Sequence, residues 1–295
     1  MSDHSPSSPL QTLSAALADL ARAASPSVVS VLSQRARSSG FSWRSGLIVA
    51  AESALADDGE ISIVAHDRVS SAARLVGRDP TTDVALLRVE RTDLGQAPAP
   101  AQNPAAGELA LVVGAREGGP VASLGAVSFV GPQWRSLRGG LIEARIELDA
   151  RLRPSSEGGL ALDAHSRAFG MAVFGPRRRT LVIPMATIDR VAQLLATKGR
   201  IARGYLGLRL QPVKLDAGGM GAMAISVDAS GPGAAAGVRQ GDVIVGWDGE
   251  AIRGVHHLMR SLGPDSVGST VNLSLLRAGE PLEIKLTIGE RPESQ

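Results

Sequence analysis

The chain has 295 residues, of which 44% are hydrophobic, 3% aromatic and 20% charged. This length suits two domains better than one, and the apolar fraction excludes an intrinsically disordered chain. The formal net charge is +2, from 31 basic and 29 acidic residues, and cysteine is absent. The composition therefore excludes disulfides, thiolate metal sites and a cysteine nucleophile. Since no apolar run of about 18 residues occurs, no membrane span is expected.

The N-terminal segment, residues 1–26, is predicted to contain one amphipathic helix. Residues 9–24 place Leu10, Leu13, Leu17 and Leu20 on one stripe, and the helix should end at Ser25, before Pro26. Residues 1–8 are polar and lack the basic-then-apolar order of a secretory signal. The sequence as written therefore predicts a cytoplasmic protein, or a periplasmic one if an export signal has been trimmed.

The second segment, residues 27–198, is rich in short apolar stretches separated by glycine, proline, aspartate and serine. We predict strands at residues 28–32, 46–50, 61–65, 84–89, 109–113, 141–148 and 181–183. Many short strands with turn residues between them predict an all-β barrel or sandwich. Residues 184–196 then predict a helix that ends at Gly199.

The third segment, residues 203–291, predicts short strands with two helices, at residues 233–237 and 255–262. It closes with a hairpin of strands 271–276 and 282–288. The densest basic cluster in the whole chain, residues 177–179, is expected to be a solvated loop, so no nucleic acid is expected as a partner. Histidines and carboxylates show no spacing typical of metal ligands, so we expect no metal and no cofactor.

The third segment resembles a PDZ domain. The matching stretches are RGYLGL at residues 203–208, GPGAAAGVRQGDVI at 231–244, and Asp248-Gly249. In that family, backbone N–H groups of the first stretch receive a C-terminal carboxylate, and the peptide adds as a strand. The alternative is that residues 205–208 merely begin a buried strand.

The resemblance implies a set of peptide-binding residues. Tyr205, Leu206, Gly207 and Leu208 would supply the backbone donors, with Arg203 as a charge partner. Val255 and Met259, four residues apart on one helix face, would line the pocket for the terminal side chain. Leu258 and Leu262 would point into the core instead. Peptides ending in Val, Leu, Ile or Phe are therefore expected as ligands, and Gly207→Asp should abolish binding without unfolding the domain.

The second segment, taken together with the PDZ-like one, resembles the HtrA family of trypsin-fold serine proteases. The resemblance rests on GRDPTTDVALL at residues 77–87, LGAVS at 124–128, and Ile183-Pro184 before the helix. It implies a mostly β protein, a trypsin-like double β-barrel followed by a PDZ domain. It also implies a homo-trimer formed through the N-terminal segments, and it places the catalytic aspartate at Asp83.

The other two positions of the catalytic triad do not match the family. The histidine position falls on Ser53, within AAESALAD at residues 50–57, and the nucleophile position falls on Glu157, within PSSEGGL at 154–160. A serine protease needs a hydroxyl, an imidazole and a carboxylate, and Ser155 also replaces a glycine of the oxyanion loop. We therefore predict an HtrA-like pseudoprotease with no intact catalytic site. Two neighbouring carboxylates, Asp83 and Glu157, should leave at least one of them with a raised pKa.

The predicted function is a peptide-binding scaffold or regulator whose partners are C-terminal or extended peptides of other proteins. The alternative is an active HtrA-type serine endopeptidase involved in protein quality control.

Overall fold

The structure is a computed structural model that describes residues 8–34, 36–57, 59–117, 119–216 and 218–292. Helix α1 spans Pro9–Ala24 and is followed by a 3₁₀ turn at Ser25–Ser27, which confirms the helix predicted for residues 9–24. The helix begins with a capping box. Gln11 N–H donates to Ser8 Oγ over 3.3 Å, and Ser8 N–H donates to Gln11 Oε1 over 2.7 Å.

The first barrel closes six antiparallel strands in the order β1-β2-β3-β6-β5-β4. Its strands are β1 (Val28–Leu32), β2 (Arg37–Arg44), β3 (Leu47–Ala51), β4 (Ile61–Val64), β5 (Ser70–Asp79) and β6 (Val84–Val89). Alternate apolar side chains fill the interior, among them the buried Val29, Ile48 and Leu87. Strands β1 and β6 have their predicted bounds, whereas β2 and β5 were not predicted because serine, glycine and arginine interrupt their apolar pattern.

The second barrel closes six strands in the order β11-β14-β13-β12-β7-β8. It contains β7 (Leu109–Arg116), β8 (Gly119–Gly131), β11 (Arg145–Asp149), β12 (Leu160–Leu162), β13 (Ala168–Phe174) and β14 (Thr180–Pro184). Between β8 and β11 lies a two-stranded hairpin, β9 (Trp134–Arg135) with β10 (Leu141–Ile142). The predicted mostly β fold with two barrels is confirmed.

The single strand predicted for residues 141–148 is wrong, because the chain leaves the sheet at Glu143. The carboxylate of Glu143 accepts hydrogen bonds from Thr187 Oγ1 and, over 2.7 Å, from Arg190 Nε. Both partners lie on helix α2, Met185–Lys198, so the glutamate is drawn toward the helix and β10 is separated from β11. Helix α2 ends at Gly199, which has the left-handed conformation (φ 72°) expected of a C-terminal glycine cap.

The chain divides into two compact units, residues 1–134 with 142–200, and residues 135–141 with 201–295. The second unit contains a sheet in the order β16-β17-β18-β20-β21, with β19 paired to β18, and a separate pair of β15 and β22. The strands are β15 (Gly204–Tyr205), β16 (Leu208–Lys214), β17 (Met220–Val227), β18 (Val243–Trp247), β19 (Glu250–Ala251), β20 (Thr270–Arg277), β21 (Glu280–Thr287) and β22 (Gly289–Glu290). Two short helices complete it, α3 (Pro232–Ala235) and α4 (Val255–Ser261).

The predicted hairpin of the second unit is present as β20 and β21. Its two-residue turn has both Ala278 and Gly279 at positive φ, the conformation of a type I′ hairpin turn. Across all the ranges that the structure describes, no helix is both long and apolar enough to cross a membrane.

Candidate functional site

The loop that carries Glu157 is fixed by β2 of the first barrel. Ser39 N–H donates to Glu157 O over 2.7 Å, and Ser39 Oγ donates to Ser155 O over 2.7 Å. Gly158 has φ 84°, and a Cβ there would lie 2.2 Å from Ser39 O. Only glycine permits this approach, so the Gly158-Gly159 pair sets where the preceding residue Glu157 sits.

Ser53, Asp83 and Glu157 lie together, as the sequence predicts. Ser53 sits in a 3₁₀ turn that follows β3, and Asp83 comes directly before β6 in a left-handed conformation (φ 61°). Ser53 N–H donates to Asp83 Oδ1 over 2.7 Å, and Ser53 Oγ lies 3.1 Å from Asp83 Oδ2. The same hydroxyl lies 3.5 Å from Glu157 Oε1. One serine hydroxyl therefore bridges two carboxylates.

The electrostatics of this cluster raise the pKa of Asp83. Loss of water around its carboxyl group raises the pKa of Asp83 to about 6, against the two hydrogen bonds from Ser53 that lower it. The negative charges of Glu157 and Glu52 contribute to this raised pKa. The predicted raised pKa is confirmed, and it belongs to Asp83.

The partners of Asp83 differ from those of the aspartate in a catalytic triad. Both oxygens of Asp83 are bonded by Ser53, and no histidine of the described ranges hydrogen-bonds to this carboxylate. His66 lies in the turn after β4 and His165 in the turn after β12, while His4 lies outside the described residues. The remaining two, His256 and His257, belong to the second unit.

Two neighbouring groups, the N–H of Glu157 and the hydroxyl of Ser156, differ in whether they are hydrogen-bonded. Glu157 N–H, at an oxyanion-hole position, donates to Pro154 O over 3.2 Å, within the 3₁₀ turn Pro154–Ser156. Ser156 Oγ is buried and has no hydrogen-bond partner in the part of the chain that the structure describes. The arrangement can hold a proton on a carboxylate, and among the described residues no imidazole is hydrogen-bonded to Asp83 to act as the base of a triad.

In the loop between β15 and β16 of the second unit, the carbonyl groups of Leu206 and Gly207 accept hydrogen bonds from within that unit. Gly233 N–H donates to Leu206 O over 2.7 Å, and Asp228 N–H donates to Gly207 O over 2.8 Å. In a trans peptide the N–H points opposite to the C=O of the same peptide unit. The N–H groups of Gly207 and Leu208 are therefore directed away from these internal partners, as a carboxylate-binding loop requires.

The prediction that Gly207→Asp spares the fold is wrong. Gly207 has φ 70°, and a Cβ there would lie 2.9 Å from Gly231 Cα. Any side chain at this position would push against backbone, so the variant is expected to disturb the domain as well as the ligand.

Two predicted peptide-binding residues have partners of their own in the structure. Tyr205 Oη donates to Asp228 Oδ2 over 3.0 Å, which ties the loop to the turn after β17. Arg203 Nη2 donates to Arg138 O over 3.4 Å. Leu206 is buried in the core of the second unit.

The burial of the apolar residues on and just after α4 follows the pattern predicted from their spacing. Leu258 and Leu262 are buried in the core, Val255 is half-buried, and Met259 is 39% exposed. Helix α4 is in contact with β16, and Val255 on this helix packs against the core of the second unit.

Sequence reasoning missed two contacts that position these sites, from Ser39 to the Glu157 loop and from Tyr205 to Asp228. Ser39 lies far from Glu157 in sequence and offers no motif. The Asp228 side chain accepts from Ser230 N–H over 3.1 Å, an Asx-type turn that the sequence Asp-Ala-Ser suggests.

Comparisons with known proteins match both units. Residues 38–171 match the family model of the trypsin-like peptidase domain, and residues 204–288 match that of the PDZ domain. Relatives named probable periplasmic serine endoprotease DegP-like include one from Bartonella henselae, 31% identical over 278 residues. The match covers 87% of this chain and 54% of that relative. Another, from Pseudomonas fulva, is 32% identical over 267 residues, which cover 84% and 54% of the two chains. The chain thus spans about half the length of the curated relatives it matches.

Solved structures show the same architecture. The serine endoprotease from Yersinia pestis has a TM-score of 0.70 and 25% identity, and the match covers 98% of this chain and 100% of that one. The structure described as HtrA-type protease AlgW with decapeptide has a TM-score of 0.69 and 21% identity. That match covers 94% and 99% of the two chains and bears on the fold alone.

The names of the relatives bear on two of the predictions. They favour the alternative, a serine endopeptidase, over the predicted pseudoprotease, and they give no support to a cytoplasmic location. The order of the two matched domains and the relatives that span both of them show that the chain belongs to the HtrA/DegP family, with a trypsin-like peptidase domain followed by a PDZ domain.

Proposed function

We propose that this chain is a peptide-binding member of its family whose first unit does not hydrolyse peptides. The observation that carries the proposal is the hydrogen-bonding of Asp83. Its two carboxylate oxygens are bonded by Ser53, at the position where the triad needs an imidazole. Glu157 occupies the nucleophile position and offers a carboxylate instead of a hydroxyl. At the histidine and nucleophile positions of the triad, the chain therefore has a serine and a glutamate.

Peptide binding is supported by the loop and the edge strand of the second unit. The outward N–H groups of Gly207 and Leu208 suit a terminal carboxylate, and β16 is an edge strand that can accept another strand. Val255 and Met259 offer apolar surface to the terminal side chain. A free C-terminal peptide ending in Val, Leu, Ile or Phe is therefore the expected ligand class.

A second candidate function is that of the relatives, serine endoprotease activity in protein quality control. It is supported by the names of the DegP-like relatives, which also support a periplasmic location. Covalent labelling with a fluorophosphonate, which reacts with activated serine nucleophiles, distinguishes the two candidates.

The binding proposal is tested with the full chain and fluorescein-labelled peptides that end in each of the four apolar residues. Fluorescence anisotropy should give a micromolar Kd, about −8 kcal/mol, for at least one free-acid peptide. Amidation of its C-terminus should weaken binding at least tenfold, since the anion is lost. Equal affinity of the free-acid and amidated forms would contradict the proposal.

A pair of variants on α4 supplies the matched control. Met259→Glu places a negative charge where the terminal side chain is expected and should weaken binding, whereas His256→Glu adds the same charge at an exposed residue on another face of the helix. Loss of binding in both variants would show that the added negative charge weakens binding wherever it lies on the helix, and that Met259 has no specific role.

A further inference from the structure

The free edge of β16 has an interruption that decides how much of a peptide can pair with it. Among the strands that the structure describes, β16 pairs with β17 alone, so its other edge is open. Along a strand, successive residues direct their backbone groups to opposite edges. Which residues of β16 face the open edge can therefore be worked out from β17.

Residue Ala224 of β17 directs its backbone groups away from β16. Its N–H donates to Asp242 O over 2.8 Å, and its C=O accepts from Gly241 N–H over 2.8 Å. The adjacent residue Met223 therefore faces β16, where it is registered with Gln211. The backbone groups of Gln211 are directed to β17, and those of its neighbours Leu210 and Pro212 are directed to the open edge.

The loop before β16 gives the same assignment independently. Gly207 C=O points inward to Asp228 N–H, so the N–H of Leu208 points outward. With a period of two, Leu208, Leu210, Pro212 and Lys214 then share the open edge. Three of these residues have an N–H to donate, and Pro212 has none.

We propose that Pro212 ends strand addition at the open edge, so that this chain reads about the last four residues of a bound peptide. The inference rests on the proposed function. A C-terminal peptide held by its carboxylate at residues 207–208 runs antiparallel to β16. Its third residue from the end then lies opposite Leu210, and its fifth lies opposite Pro212.

The affinity that each peptide residue adds depends on the backbone hydrogen bonds that it makes with β16. The third residue from the end exchanges two hydrogen bonds with Leu210. The carbonyl of the fifth residue meets the proline ring, where a donor would otherwise be. One net hydrogen bond corresponds to about threefold to tenfold in Kd. The C=O of Pro212 can still accept from the fifth residue, but the carbonyl of that residue is left without a donor, and this loss offsets the bond that remains.

The test uses the full chain and acetylated peptides of three, four, six and eight residues. Each peptide has valine as its C-terminal residue and as the third residue from that end, and threonine at all other positions. Each has a free C-terminal carboxylate. For the wild type, Kd should change by less than about twofold between four and eight residues. For Pro212→Ala, the six- and eight-residue peptides should bind about threefold to tenfold tighter than the four-residue one.

Two controls make the result specific. Pro281→Ala adds an N–H to β21, the strand at the other edge of the sheet, and should leave the length dependence as in the wild type. An ester in place of the amide after the fifth residue from the end gives a weaker carbonyl acceptor. It should weaken binding to Pro212→Ala and leave binding to the wild type unchanged.

The outcomes separate this inference from the proposed function. If short free-acid peptides bind and both proteins show the same length dependence, Pro212 does not limit strand addition and the peptide-binding proposal stands. If the free-acid peptides bind no better than their amides, the peptide-binding proposal fails and this inference fails with it. Thermal melting of Pro212→Ala and of Pro212→Val confirms that the variants are folded. Tighter binding of the six- and eight-residue peptides by either variant supports the inference.

Discussion

At the scale of single residues, Asp83 sits in an environment that raises the pKa of its carboxyl group to about 6. In an active triad the aspartate carries a negative charge that stabilises an imidazolium. Here its partners are a serine hydroxyl and a backbone N–H, and Glu157 adds a like charge nearby. The raised pKa follows from desolvation without a compensating cation.

The folded-state pKa of Asp83 predicts how stability changes with pH. Below about pH 4 the group is protonated in both the folded and the unfolded chain. Between 3.8 and about 6, the unfolded chain releases the proton while the folded chain retains it. The contribution of Asp83 to the free energy of unfolding therefore falls as pH rises through this window, by on the order of 3 kcal/mol, and stays low above it.

Asp83→Asn should remove this dependence. The variant is expected to be more stable than the wild type at pH 7, by about 1–3 kcal/mol, and similar to it at pH 4. Urea denaturation at both pH values measures the difference, with Asp149→Asn, at an exposed carboxylate, as the matched control. A wild-type advantage at pH 7 would show that the charged form of Asp83 stabilises the folded protein, which would contradict the raised pKa.

Much of this cluster could be predicted from sequence, because Pro154 and Gly158-Gly159 fix the register of Glu157 and the GRDPTTD stretch fixes Asp83. The hydrogen bonds that Ser39 makes to the loop could not be predicted, since they join strands of two barrels. The side of β16 on which Pro212 lies likewise depends on the pairing of β17, which no local pattern shows.

At the scale of secondary-structure elements, α1 is the element whose apolar stripe needs a partner. Leu17 and Leu20 are half-buried against β7 and β8, with Leu109, Leu111 and Leu124 around them. Leu10 and Leu13 remain 79% and 42% exposed. The stripe thus packs on its own barrel along its second half, and its first half exposes apolar surface.

Replacing both packed leucines should destabilise the first unit. The double variant Leu17→Ser, Leu20→Ser is expected to lose about 2–3 kcal/mol of stability, as partial burial of two leucines implies. The control Leu10→Ser should change stability by less than about 0.5 kcal/mol. Thermal melting measures stability, and light scattering measures mass in the same samples.

The mass measurement tests the proposed homo-trimer separately. If copies assemble through the exposed half of α1, Leu10→Ser should reduce the mass without lowering the melting temperature. Unchanged melting temperature in the double variant would refute the packing of α1, and unchanged mass in Leu10→Ser would argue against assembly through this helix.

Element bounds were predictable where apolar residues follow a clear period. Helix α1 and the hairpin of β20 and β21 are of this kind. Strand β8, Gly119–Gly131, was not predicted, because several glycines, a proline and serines interrupt its pattern. Its thirteen residues form a strand because β7 and β11 pair with it on both sides, a constraint imposed by closure of the barrel.

At the scale of the whole molecule, the chain combines a trypsin-like pair of barrels with a PDZ domain, and the proposed function assigns peptide binding to the second and no cleavage to the first. The family provides both domains, and under the proposed function the residues Ser53 and Glu157 at the triad positions would separate binding from cleavage.

The most direct test of this account is hydrolysis of fluorescently labelled casein by the full chain, with and without a fluorophosphonate probe. An active trypsin-fold protease serves as the positive control. The account predicts no cleavage above buffer and no covalent labelling, for the wild type and for Glu157→Ser alike, because Glu157→Ser still lacks an imidazole at position 53. Casein cleavage by the wild type that the fluorophosphonate abolishes would contradict the account and establish the serine endopeptidase instead.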